Sequence, residues 1–128
     1  MGWRLSRNDT GIWDVTSLAQ DRIKGGKIFV QRVGNLVFIR GDNITVADVP
    51  AGAIRIDLIP TGGLPVGMRP QISMWATFVT ESNQVRKAAA SASGWVPIYG
   101  AKTGDRMHFQ IMYAVSGPFP SAIPGVKV

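Results

Sequence analysis

The stretch from Lys27 to Gly41, KIFVQRVGNLVFIRG, constrains this chain more than any other. Two apolar-rich runs flank Gly34-Asn35, a pair that accepts the positive φ of a two-residue hairpin turn at little cost. Side chains alternate along a strand, so Ile28, Val30 and Arg32 share one face while Phe29, Gln31 and Val33 share the other. Beyond the turn, Val37 and Ile39 share a face, with Leu36, Phe38 and Arg40 opposite. Both faces thus carry apolar side chains, whereas a sheet wetted on one side alternates more cleanly. Such a hairpin fits a sandwich, or a sheet whose second face packs on another subunit.

The remaining segments extend the same pattern. Ala53–Ile59 has the clearest period of two, with Ile54, Ile56 and Leu58 inward and Arg55 and Asp57 outward. Pro60 to Pro65 must be a loop, because two prolines and two glycines break any ladder. Gln71–Thr80 reads as a longer strand and Glu81-Ser82-Asn83 as a turn. Gln84–Ser93 is ambiguous, since its alanines and lysine favour helix. The turn before it and GWVPIY after it favour a small-residue strand packed closely on a neighbour. Gly94–Tyr99 and Met107–Val115 complete a set of about seven to nine strands, with turn signals recurring about every ten residues. The expected fold is all-β, an antiparallel sandwich or jelly-roll-like domain. It spans residues 1–128 as one domain, with 1–10 as an N-terminal arm and 116–128 as an extended proline-rich tail.

Composition narrows the chemistry. With 45% hydrophobic and 17% charged residues the chain can fill a core and is not a disordered polymer. It has no cysteine, which removes disulfides, thiol nucleophiles, zinc knuckles and iron–sulfur clusters. No apolar run approaches a membrane-spanning helix, and MGWRLSRNDTG has no apolar core of a signal peptide, so neither is expected. The net charge of +6 would suit nucleic acid, an anionic cell surface or an acidic protein face, or simply solubility. The basic residues are scattered and aromatics do not interleave with them, so nucleic acid is not the expected partner.

No catalytic constellation stands out. His108 is the lone histidine and has no neighbouring Ser or Cys motif, which favours a structural role. The scattered aspartates give no zinc or EF-hand spacing, so no metal or cofactor is expected. Glu81 is the only glutamate and lies in a predicted turn, while Asp42 and Asp48 could approach one another across a loop. Those carboxylates are the only basis for a glycan-cleaving activity. Gly25-Gly26 and Gly62-Gly63 lack the Lys-Ser/Thr of a phosphate loop and read as turn glycines. Tryptophan and tyrosine can stack on sugar rings or anchor an interface. Trp75 is expected in the core or a subunit interface, Trp95 and Tyr99 beside loops, and Trp3 over an edge or a neighbouring subunit.

Five strings carry a resemblance to a known family: Trp13-Asp14-Val15-Thr16-Ser17-Leu18, Arg32 to Val37, Leu64 to Pro70, Gly100 to Asp105, and Pro118 to Gly125. In this order, from about Gly11 to the C-terminus, they resemble the C-terminal domain of minor tail, or receptor-binding, proteins of bacteriophages of Gram-positive hosts. The resemblance implies a homotrimeric β-sandwich at the tail tip or fibre of the virion, contacting other phage tail or capsid proteins and binding a host cell-surface glycan or wall polymer. Members usually end a longer chain, so either an excised domain or a free-standing small virion protein is expected. The first string reads Gly-Ile-Trp-Asp where Gly-Trp-Arg-Asp is more typical. The family supplies no position-by-position binding motif.

The site expectations therefore rest on residue chemistry. Trp95, Tyr99, Arg69, Lys102 and Asp105 are the candidate ligand-binding residues, set in the loops around Pro60–Pro70 and Gly94–Asp105. Trp3, Trp75, Phe38 and Phe119 are the candidate oligomer contacts, because apolar side chains on both strand faces need a second cover. A non-enzymatic receptor-binding role is expected first. A capsid decoration, cementing or tail-assembly protein is the alternative, and a wall-polymer depolymerase acting through Glu81 or Asp42 is the third.

Overall fold

A computed structural model describes residues 8–128, which fold as two antiparallel sheets. The strands are β1 (Trp13–Asp14), β2 (Ile23–Val33), β3 (Leu36–Val46), β4 (Arg55–Ile59), β5 (Met74–Val79), β6 (Val85–Ala90), β7 (Val96–Tyr99), β8 (Arg106–Ala114) and β9 (Val126–Lys127). The first sheet runs β8-β3-β2-β1-β9 and the second β4-β7-β6-β5. A 3-10 segment, Thr16–Arg22, links β1 to β2, and a shorter one, Val66–Met68, sits in the β4–β5 loop. The expected all-β antiparallel sandwich is the architecture found.

The hairpin forms at the expected turn. Val33 and Leu36 close it, and only Gly34 of the central pair takes positive φ, at 56°. Glycine at the first central position is what such a turn demands. The two strands are longer than the apolar runs suggest, because pairing continues past Gly25-Gly26. These glycines are not a turn. They form an irregularity within β2, where the register shifts on both sides of Gly25. Gly26 has φ 92°, and a side chain there would run into the Asn43 carbonyl. A bulge is how a long strand takes up an extra residue without losing its partner.

The faces divide as the alternation requires. Ile28, Val30, Val37 and Ile39 of the first sheet pack on Ile56, Leu58, Val96 and Ile98 of the second. Across the gap Phe78 of β5 stacks on Phe109 of β8, centroids 4.8 Å apart. Gly41 opposes Phe109 in the register, and any β-carbon there would strike that ring. The Gln84–Ser93 segment is a strand, β6, with Ala88 and Ala90 fully buried. One expectation fails and another is narrowed. Ile54 is 66% exposed, because it precedes β4 and leaves a turn at Ala51-Gly52 before the alternation begins. Trp75, expected in the core or a subunit interface, is not in the core: it is 56% exposed, since Met74, Ala76 and Phe78 take the inward positions of β5.

Arg32 ties the far end together. It shares the inward face with Ile28 and Val30 and is only 1% exposed. Its Nε donates to the Gly34 carbonyl at 2.9 Å. Nη1 donates to Gly67 at 2.8 Å and Pro118 at 2.9 Å, and Nη2 to Gly117 at 2.8 Å. The Phe119 ring lies 4.3 Å from the guanidinium carbon. The rigid donor fork of arginine suits several fixed carbonyls, where lysine would offer only a point charge. The C-terminal tail is thereby pinned on its own chain. It then returns to the first sheet as β9, paired with β1.

Candidate functional site

The outward residues of the second sheet form an aromatic platform. In β5 the outward positions are Trp75, Thr77 and Val79; in β6 they are Val85, Lys87 and Ala89. Tyr99 of β7 pairs with Lys87 on one side and with Arg55 of β4 on the other. One row therefore reads Arg55, Tyr99, Lys87, Thr77 across four strands. Trp75 pairs with Ala89, two residues further along β6.

Ala89 makes the platform possible. It faces outward yet is only 4% exposed, because large rings flank and cover it. With a methyl group on β6, Trp75 of β5 and Tyr99 of β7 meet over the intervening strand, centroids 5.4 Å apart and planes tilted by 36°. Trp95 stands at the start of β7, fixed by its Nε1, which donates to an Asp57 carboxylate oxygen at 2.7 Å. That bond lies in the ring plane and fixes the orientation of the indole. Arg55 lies over the Trp95 ring at 5.0 Å and Lys87 over the Trp75 ring at 5.7 Å. Each cation is within the range of a favourable ring contact.

Over the edge of β4 the platform continues into an open groove of about 820 Å³. Asp21, Arg22, Asp48, Ile54, Arg55 and Asp57 are among its lining residues. Rings, cations and carboxylates thus share one continuous surface. Flat apolar rings bind the C–H face of a sugar, and carboxylates accept its hydroxyl hydrogens.

The other expected ligand residues are elsewhere. Arg69 Nε donates to the Leu64 carbonyl at 2.8 Å, bracing the β4–β5 loop against Gly94. Leu64, Gly67 and Met68 in that loop are buried, so its middle closes the sandwich. Asp105 is held by Arg86 Nε at 2.8 Å and by the Lys102 backbone N–H at 2.9 Å, with its side chain 9% exposed. The Lys102 side chain projects from the same turn. Of the oligomer candidates, Trp75 belongs to the platform, Phe119 lies under Arg32, and Trp3 falls outside the described residues. Phe38 stands on the outer face of the first sheet, beside a hollow of about 240 Å³ that Ile12, Phe29 and Val33 also line.

The carboxylates considered for hydrolysis do not converge. Asp42 lies 3.3 Å from His108 Nδ1, which accepts the Asn43 N–H at 3.0 Å. Asp48 lines the groove beside β4, and Glu81 lies 3.5 Å from Arg106 Nε. Among the described residues no three His, Asp or Glu side chains cluster as metal ligands would.

Sequence reasoning passed over Arg55, Asp57, Lys87 and Ala89 as site residues. The outward positions of Arg55 and Asp57 are legible from the alternation, but which strands lie beside them is not. No family model, curated protein or solved structure matches this chain.

Proposed function

We propose that the chain is a non-enzymatic virion protein of the tail tip or fibre of a bacteriophage of Gram-positive hosts, and that it binds a host cell-surface glycan through the outer face of its second sheet. The observation that carries this reading is the exposure of Trp75 beside Tyr99 and Trp95 on one rigid strand surface, while the core is filled without them. Leaving such rings facing water brings little folding benefit, whereas a stacking ligand uses their faces. The biological setting comes from the resemblance of the five strings to phage tail domains. Labelled protein should adhere to susceptible cells and to their purified wall glycan. The double variant Trp75→Ala/Tyr99→Ala should lose adhesion while unfolding at an unchanged temperature. Failure of the parent protein to adhere to any susceptible host overturns the reading.

A second reading, a capsid decoration or tail-assembly protein, is favoured by the outer face of the first sheet. Val33, Leu36 and Met112 are exposed there around half-buried Phe38. An apolar face of this kind suits a subunit contact, and a closed homotrimer would cover it. Locating the chain in intact virions separates the readings. A few copies at the tail tip mean recognition, and many copies on capsid three-fold positions mean decoration.

A further inference from the structure

We propose that the platform selects glycans carrying isolated negative charges, such as uronate or phosphodiester groups, over neutral glycans. The inference rests on the glycan-binding reading above and assigns its ligand class. Arg55 and Lys87 flank Tyr99 in one row, each one strand away. Adjacent strands are about 4.8 Å apart, so the two cations bracket a span of roughly 10 Å centred on a ring. Among the described residues neither takes part in an ion pair, although Arg22, Lys27, Arg86 and Arg106 each have an acidic partner. The one carboxylate on the face, Asp57, is engaged by the Trp95 indole. A sugar ring stacked on Tyr99 and Trp75 would therefore present its flanking substituents to two unpaired cations.

The neighbouring groove limits how dense that charge can be. Asp21, Asp48 and Asp57 line it together with only Arg22 and Arg55. These carboxylates accept hydroxyl hydrogens but repel a phosphate at every unit. Single-stranded nucleic acid, which is tracked by a continuous basic groove, fits this surface less well than a hydroxyl-rich chain with sparse charge.

The test uses the full chain and four probes in calorimetric titration: a hyaluronan oligomer, in which uronate alternates with a neutral sugar, a sparsely phosphorylated dextran, unmodified dextran, and a thymidine oligomer. The proposal expects at least one of the first two to bind, and unmodified dextran to bind at least about tenfold more weakly. The double variant Arg55→Gln/Lys87→Gln should lose that preference, as should the parent at high salt, because exposed charge contacts are screened. Each single variant, with its unfolding temperature recorded, guards against a folding defect in the double one. Unmodified dextran binding as tightly as the charged probes, or an unchanged preference in the double variant, overturns the charge selection and leaves the glycan reading standing. Tightest binding to the thymidine oligomer overturns both, and so does binding to none of the four probes.

Discussion

Arg32 concentrates more of the structure than any other side chain. Its guanidinium satisfies carbonyls from the hairpin turn, the β4–β5 loop and the tail, and burial holds its pKa below the usual arginine value. Removing it would leave buried carbonyl oxygens without donors. Arg32→Met should therefore cost on the order of 3 kcal/mol in urea unfolding, with Arg32→Lys recovering little of it. Full recovery by lysine would contradict the fork geometry. Asp14 supplies a titrating contact. Its carboxylate accepts the Thr16 hydroxyl at 2.5 Å and the Thr16 backbone N–H at 3.0 Å. Chiefly through the hydroxyl bond, and against the effect of burial, its pKa falls below the usual carboxylate range. A depressed folded pKa gives stability that is complete above the unfolded value of about 3.9 and is lost as pH falls through the folded one. Asp14→Asn should thus destabilise more at about pH 5 than at about pH 2, read from urea midpoints. An equal penalty at both pH values would show that Asp14 contributes no pH-dependent stability.

At the scale of elements, β6 decides the surface chemistry. Its alternation buries Ala88 and Ala90 and leaves Ala89 beneath the ring pair. Ala89→Leu should push Trp75 and Tyr99 apart and weaken glycan adhesion at least about tenfold, while costing less than about 1 kcal/mol in stability. Retained adhesion would mean that the ring pair is not the binding element. The hairpin, the division of β2 and β3 into two faces, the inward positions of most of β4, and the strand character of β6 are all legible from period-two alternation and turn residues. That Arg32 shares a face with Ile28 and Val30 is legible too, but that this face is the inward one is not, and its carbonyl partners lie far along the chain. The Gly25-Gly26 bulge is hidden because a glycine pair reads the same in a turn and in a bulge. The platform is hidden for a related reason. Alternation fixes which face a side chain takes, but only the strand order β4-β7-β6-β5 places Arg55, Tyr99, Lys87 and Trp75 side by side.

At the scale of the whole molecule, the five strings singled out in the sequence have structural tasks in this fold. Arg32, Gly67 and Pro118, from three of them, meet in one hydrogen-bonded cluster. Asp14 and Thr16, from a fourth, make the turn into β2, where the Thr16 hydroxyl accepts the Ile28 N–H at 2.9 Å. Lys102 and Asp105, from the fifth, close the turn into β8. Such strings build the scaffold, and a scaffold can present different ligands on its outer faces. The two sheets have different outer surfaces: an aromatic, charged platform on one and a more apolar face on the other. If the apolar face joins subunits, sedimentation should give about three times the 13.8 kDa chain mass. Phe38→Asp should shift that mass to the monomer with the sandwich still folded. A parent protein that stays monomeric at high concentration would remove the trimer. The most direct measurement of the central claim is a calorimetric titration of the parent protein and Trp75→Ala/Tyr99→Ala with purified host wall glycan. Saturable binding by the parent, and none by a variant with the same unfolding temperature, is the predicted result. Equal binding by both proteins would contradict it.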